Sequence, residues 1–553
     1  MKSSLKKILA LVLVLAMAMS VVACSKPAED SSTPDTTPTD TSSTSTDDST
    51  GDDAGEPYTI TVSLASGTGV EEAWQAVADA YMAKNPNATV VIDLKPSEGY
   101  SDWARTVAAD YKNADADIVA INTIPDRTED MMINWNEYME DVNPYDADGK
   151  IWKETFNYEM QTRDSISGKM DNLSLDSVQV AWFYNKDIFA KVGVEAPKTW
   201  DELVDVCEKI YAAGYQPISV EGNLKSFYEM RMGWLARCYG DQTYRLALEE
   251  FRAQPGDYCY DPDVDGKFVL DVTDPWNDAA GKVHVNPVRW AAGIKEGKYS
   301  ADCDGYRTIW TNFKKVFPQY AGGDAFFGCT DCMPAFYRGE AAMILNTTGF
   351  AVSFARDMKK IAAGEGITFG EGTDNEETAT DLSTFELGMF NMPNMTGAGL
   401  DANTRTIEVA TGFIGAFSKN AEHDAKVVDF MQFYTSAEGF STFAEAGLAN
   451  DWTPGGACLV YGVEYPADIQ SAFEAVEWIG NTNGQGSSFA RGLCDNPQST
   501  QEFYDLAIQL LQDKITVDDY CVKMKEQHLK YWPECYKYTD EDLAHPELEP
   551  TEN

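Results

Sequence analysis

The chain has 553 residues, 44% of them hydrophobic and 12% aromatic, enough for two or three domains with real cores. Lys plus Arg total 43 against 89 Asp plus Glu, a formal net charge of −46. That balance excludes charge-driven binding to nucleic acid or to an anionic membrane surface, disfavours polyanionic ligands, and suits solubility at an exposed cell surface.

Lys2, Lys6 and Lys7 form a basic n-region, and Ile8 to Met19 an apolar h-region. Val21-Val22-Ala23-Cys24 ends it with a small residue before a cysteine. Residues 1–23 therefore read as a secretory signal peptide, too short for a spanning helix. Residues 24–57 are Ser, Thr, Asp, Pro and Gly with almost no apolar side chains, so they predict a disordered tether with a span of roughly 30 Å. No other stretch reaches transmembrane length without charges, which places the mature protein outside the membrane.

From Tyr58 the pattern changes. Tyr58 to Leu64 reads as a strand, Ser66-Gly67-Thr68-Gly69 as a tight loop, and Glu71 to Lys84 as a helix with Ala73, Trp74, Val77, Ala80 and Tyr81 on one face. Strands over Thr89 to Leu94 and Ala116 to Ile121, with a helix over Trp103 to Lys112 between them, complete a β-α-β-α-β alternation. This order predicts a parallel sheet with helices on both faces, and ligands of such sheets sit beyond the carboxyl ends of the strands. Those ends carry Ser66 to Gly69 and Asn122 to Asp126. Neither a GxGxxG fingerprint nor a P-loop lysine follows the first strand, which argues against a nucleotide site.

Ala181 to Tyr184 is an apolar-aromatic run of strand length, and Asn185-Lys186-Asp187 a polar break with turn chemistry. Pro197 stops what precedes it. Thr199-Trp200-Asp201-Glu202 fits a capping box, followed by apolar residues at helical spacing from Leu203 to Tyr211.

Four histidines, His284, His423, His528 and His545, include no pair at metal spacing, and no G-x-S-x-G elbow is present. Apart from Cys24 there are ten cysteines, with Cys329-Thr-Asp-Cys332 the only CxxC. An external compartment permits disulfides, but the spacing assigns no pairing. Asp261-Pro-Asp263-Val-Asp265-Gly266 reproduces the start of an EF-hand loop, yet Val272 stands where the bidentate Glu belongs. A Ca²⁺ site on Asp261, Asp263 and Asp265 and an acidic hairpin turn are the two readings; no other cofactor is expected. Thirteen tryptophans and 27 tyrosines suit sugar rings, whose C–H faces lie on aromatic planes, although most aromatics in such a chain are core.

The string AWFYNKDIFAKVGVEAPKTWDEL from Ala181 to Leu203 resembles the YNKDlF…G…P.TWdEl signature of family 1 extracellular solute-binding proteins, the binding lipoproteins of ABC importers. Ala335 to Met343, Asn346 to Phe350, Gly388 to Pro393 and Thr411 to Ala446 are similar to further segments of that family. Val21 to Cys24 likewise resembles a bacterial lipobox, in which Cys24 is lipidated; an ordinary signal peptide with a chance cysteine is the alternative. The resemblance runs from Tyr58 to the 540s. It departs at Tyr239 to Asp331, which is long, and at Gly364 to Asp381, a polar insert read as a surface loop.

The resemblance implies an α/β, two-lobe periplasmic-binding-protein-like fold, each lobe a mostly parallel sheet flanked by helices, joined by a multi-segment hinge. Lobe one is expected at 58–176 plus 392–447, lobe two at 177–391 plus 448–545, and an acidic tail at 546–553. It implies a non-enzymatic, lipid-anchored monomer that binds a carbohydrate, an oligosaccharide above all, and docks on ABC permease subunits. Candidate ligand contacts are Gly67, Trp74, Asn122, Asp126, Asp176, Gln179, Trp234, Phe350, Gly412 and Trp452. The rival readings are an oligopeptide-binding lipoprotein and a secreted glycan-acting enzyme.

Overall fold

The structure, a computed structural model, describes residues 56–124, 127–163, 169–279, 281–370, 375–482, 484–494 and 496–551. The signal peptide, Cys24, nearly all of the 24–57 segment and Asp126 lie outside the described residues.

Strands β1 (Tyr58–Val62), β2 (Ala88–Ile92) and β3 (Ile118–Ala120) alternate with helices α1 (Val70–Lys84) and α2 (Tyr100–Ala108). β4 (Asp176–Asn185), β5 (Gln216–Ser219) and β6 (Ala341–Thr347) follow, then β7 (Ile367–Phe369), β8 (Glu377–Ala379), β9 (Leu387–Phe390), β10 (Glu408–Thr411) and β11 (Ile414–Ala416). The other helices used below are α3 (Lys186–Val192), α4 (Trp200–Ala212), α5 (Arg231–Leu246), α6 (Asp304–Val316), α7 (Phe350–Ala362), α8 (Ala421–Tyr434), α9 (Ala437–Ala449) and α10 (Val517–Cys535).

Two sheets carry the fold. The first has the order β11-β3-β1-β2, with β1 parallel to both β2 and β3 and β11 antiparallel to β3. Its β-branched positions Ile60 and Val62 are fully buried beneath Trp74, Val77 and Tyr81 of α1, as the 3.6-residue spacing requires. The second has the order β10-β4-β6-β5, with β9 also on β4. It is mixed rather than mostly parallel: β4 runs against β6, β9 and β10, and only β5 and β6 are parallel.

Local signals hold up well around the central stretch. Thr199 Oγ1 accepts the Glu202 N–H at 3.2 Å and Glu202 Oε2 accepts the Thr199 N–H at 3.1 Å, the full capping box at the start of α4. The turn expected at Asn185 to Asp187 is instead the start of α3. Asn185, the last residue of β4, caps it by accepting the N–H groups of Asp187 and Ile188. The polar insert at 364–381 contains an antiparallel ribbon, β7 with β8, where a loop was expected.

Two core assignments differ from the expected lobe boundaries. Met392, Met395, Leu400 and Ile407 are buried with Trp182, Trp200 and Tyr239 in the second core, so the chain returns to the first only near β10 rather than at 392. Val460 is buried in the first core and Trp452 packs against it, so the last crossing lies after 460, not at 448. The chain thus crosses between cores along β4, at β10 and after Val460, and the 452–460 segment runs beside β4 and β10. These three lie side by side: β10 pairs with β4 antiparallel, and Asp176 bridges Cys458.

The long 239–331 segment is fastened to the second crossing by buried charges. Arg405 donates Nε to Asp241 Oδ2 at 2.8 Å and Nη2 to Asp241 Oδ1 at 2.6 Å, and also pairs with Asp278. Arg245 adds a 3.1 Å contact to the same Asp241 carboxylate. Asp241 is 0% exposed and Arg405 2%.

A second polar cluster sits under β3. His423 Nε2 lies 3.0 Å from Asp117 Oδ1, with Lys419 Nζ at 2.6 Å from the same oxygen and Asp424 Oδ1 at 3.6 Å from His423 Nδ1. Hydrogen bonding to Asp117, then to Asp424, lifts the imidazole to about 9 from its ordinary 6.5. A group raised on folding stabilises fully below its unfolded value, and that contribution disappears as pH climbs through the folded one. The stability gap between wild type and His423→Gln is therefore expected to be largest near pH 5–6 and to close by about pH 10 in urea titrations. A gap that is flat with pH would contradict a charged His423.

Candidate functional site

A cavity of about 320 Å³ opens where β1 and β3 end and where β4 and β10 begin and end their crossing. Its walls include Leu64, Ala65, Trp74, Asp176, Thr411, Gly412, Tyr434 and Trp452. This is the carboxyl edge of a parallel sheet, where backbone groups and loop residues are free to meet a ligand.

An aromatic cluster forms one side. The Trp74 ring lies 4.3 Å from Tyr434 and 5.5 Å from Phe443, and Trp452 stands edge-on to Phe443 at 5.2 Å. Trp74 is only 2% exposed, so most of its surface stabilises the first core, whereas Trp452 is half-buried. The Trp452 loop is held from the other core: Arg356 of α7 donates Nη1 to Asp451 O and Thr453 Oγ1, each at 2.7 Å, and Nη2 to Trp452 O at 2.5 Å. Gly69, at φ +69°, lets the Ser66–Gly69 loop close on this segment, since a Cβ there would stand 2.6 Å from Asn450 O and 2.8 Å from Trp452 N.

Asp176 supplies the polar side. Thr411 Oγ1 donates to its Oδ1 at 2.7 Å and the Gly455 N–H to its Oδ2 at 3.1 Å. Burial pushes its carboxyl above the ordinary range, and the two donors oppose that. The two fixed donors orient a carboxylate on the cavity wall, as recognition of hydroxyl or N–H donors requires. Gly412 follows at φ +112°, exposed, turning the chain from β10 into β11.

Of the residues singled out in the sequence, Trp74, Asp176, Gly412 and Trp452 meet at this cavity, and Gly67 stands exposed in the adjoining loop. Four others lie off its walls. Asn122 is exposed in the short 3₁₀ turn after β3. Gln179 is buried, its Nε2 donating to Glu477 O at 3.0 Å. Trp234 packs half-buried on the second core. Phe350 is 5% exposed, packed edge-on at 5.0 Å against Phe183 in a third apolar cluster. Tyr434 and Thr411 were not singled out; Tyr434 reads as one more core position at the end of a helix, and Thr411 as a strand residue.

The Asp261 to Asp265 segment is a turn closed by the Asp265 N–H on Asp261 O at 2.7 Å rather than a hairpin. Asp265 is 2% exposed and turned inward, accepting the N–H groups of His284 at 2.7 Å and Asp261 at 2.9 Å and facing His284 Nδ1 at 2.9 Å. Asp263 pairs outward with Lys267 at 3.0 Å, and the segment ends in a 3₁₀ turn, Asp265–Lys267. Among the described residues no three His, Cys, Asp or Glu side chains are grouped to hold a metal. Cys494 and Cys535 form a disulfide.

The family model for bacterial extracellular solute-binding protein matches residues 65–439. The chain belongs to that family. Its members bind solutes rather than transform them. A putative binding protein of Brucella abortus (strain 2308) is 26% identical over 186 residues, 32% of this solute-binding protein and 43% of that relative. The chain thus spans less than half the length of the curated relatives it matches. Among solved structures, a cyclic alpha-maltosyl-1,6-maltose binding protein from Arthrobacter globiformis aligns over 86% of this chain and 100% of its own, with a TM-score of 0.52 and 13% identity. A family 1 extracellular solute-binding protein from Bifidobacterium longum subsp. infantis aligns over 86% and 99%, with a TM-score of 0.49 and 16% identity. At such identities the likeness is one of fold: two α/β lobes. No helix among the described residues is long and apolar enough to cross a membrane.

Proposed function

We propose that this protein captures a carbohydrate, an oligosaccharide above all, between its two lobes and delivers it to the permease of an ABC importer. The observation that carries the reading is the cavity at the strand ends, where Trp74, Tyr434 and Trp452 line one side and Asp176 and Thr411 the other. A pyranose has apolar C–H faces and a rim of hydroxyl donors, and it needs this pairing of an aromatic plane with a fixed carboxylate acceptor. A peptide would call for charged partners for its termini. The fold shared with a protein named for binding a maltose-type saccharide supports the same class. The test is a rise in melting temperature that saccharides produce and peptides do not, set out at the end of the Discussion.

In this reading the protein works outside the cell as a monomer, anchored by a lipid on Cys24, with residues 24–57 as the tether. Two acyl chains on one cysteine suffice for stable anchoring. Cys24→Ser is expected to release the protein from the membrane fraction or to block its maturation, read by fractionation and by the mass of the mature N-terminus. Wild-type membrane retention with an unmodified cysteine would overturn the anchor and leave the binding function standing.

A further inference from the structure

Beyond Cys494–Cys535, eight cysteines among the described residues form no disulfide, and two of them, Cys303 and Cys521, lie in one framed helix contact, near enough for charge on Cys303 to act on Cys521. Cys303 stands at the start of α6, where its carbonyl accepts the Arg307 N–H at 3.2 Å. Cys521 lies on α10, between Asp518 one turn before it and Lys525 one turn after. The two helices are joined by a pair of ion contacts on either side of these cysteines. Asp302 Oδ2 meets Lys525 Nζ at 3.0 Å, and Arg307 Nε meets Asp518 Oδ1 at 2.9 Å. Residues i, i+3 and i+7 of a helix share one face, so Asp518, Cys521 and Lys525 all look toward α6. On α6 and its lead-in, Asp302 and Arg307 bracket Cys303 in the same way. The frame is closed below by Trp310 packed on Tyr520, ring centroids 4.5 Å apart.

We infer that Cys303 and Cys521 form a second disulfide in the extracellular protein, fastening α10 to the long 239–331 segment. The chemistry is thiol–disulfide exchange with an external disulfide. The half-buried Cys303 meets the oxidant first, because Cys521 is 0% exposed and burial pushes its thiol up to about 12. The Cys303 thiolate attacks one sulfur of the oxidant, making a mixed disulfide and expelling one thiolate. The Cys521 thiolate then attacks the Cys303 sulfur, closing the intramolecular bond and expelling the second. Two electrons pass to the oxidant, which leaves as two thiols, and the two protein thiol protons go with it. A bond joining residues so far apart in sequence restricts the unfolded chain over a long loop, the case in which a crosslink stabilises most.

The test uses the whole mature protein and oxidised glutathione. After incubation, free thiols are alkylated, the protein is digested, and the peptides are mapped by mass spectrometry. The expected product is one linked pair containing Cys303 and Cys521, lighter by two hydrogen atoms than the separate peptides. In Cys303→Ser, Cys521 should be alkylated once the protein is unfolded. If Cys303 carries glutathione or the alkyl group and never joins Cys521 while Cys494–Cys535 stays linked, the inference fails. A second readout is independent of mapping: oxidised wild type should melt several degrees above the Cys303→Ser/Cys521→Ser double variant, and an equal melting point overturns the proposal.

Discussion

Replacing Arg405 by Ala should cost about 3–5 kcal/mol of folding stability, read by urea unfolding at neutral pH. The reason is burial without water. Asp241 and Arg405 are 0% and 2% exposed, and Asp278 pairs with the same guanidinium. Removing Arg405 takes from Asp278 its guanidinium contact and from Asp241 the bonds at 2.6 and 2.8 Å, so buried carboxylate charge loses its compensation. A cost below about 1 kcal/mol would place the network in the range of surface ion pairs and contradict its role as a fastener of the 239–331 segment.

The second large effect separates two aromatic residues that look alike in sequence. Phe350 is enclosed by Phe183 at 5.0 Å, Phe354 at 5.6 Å and Phe336 at 6.1 Å. Phe350→Ala is expected to cost about 3–5 kcal/mol with or without a ligand, the usual toll of emptying a core aromatic site. Trp452 is half-buried on a loop that Arg356 holds through three hydrogen bonds to its backbone and to Thr453. Trp452→Ala should leave the unliganded melting point close to wild type and weaken saccharide binding about tenfold or more, which is about 1.4 kcal/mol. Equal destabilisation by both changes would make Trp452 a core residue and displace the site from this cavity.

How much of this was legible follows from the range of each interaction. The capping box from Thr199 to Glu202 closes within four residues, so the letters alone specify it. The same holds for α1, whose buried face Ala73, Trp74, Val77 and Tyr81 repeats at helical spacing. The lobe boundaries were less legible. Met392 and Met395 announce burial by being apolar, but nothing local says which core receives them. The site divides along the same line. Asp176 and Gly412 could be placed because they adjoin a strand and a turn at the sheet's carboxyl edge. The Trp452 loop owes its position to Arg356, 96 residues earlier in the chain, and no spacing encodes that contact. Asp265 depends on a distant contact in the same way. The Asp-x-Asp-x-Asp-Gly string is local, but its third carboxylate is claimed by the backbone of His284, a distant residue.

The most direct measurement of the central claim is a thermal-shift screen of the wild-type protein against neutral oligosaccharides, peptides and polyamines. A ligand that binds the native lobes and not the unfolded chain adds about 2.7 kcal/mol of stability at a concentration about 100 times its Kd, enough to move the melting temperature visibly. Hits are expected among the saccharides, and Asp176→Asn should shrink the shift while leaving the unliganded melting point nearly unchanged, because the amide keeps the side chain's shape and removes its charge. Shifts from peptides alone, or saccharide shifts that Asp176→Asn and Trp452→Ala leave intact, would contradict carbohydrate capture at this cavity.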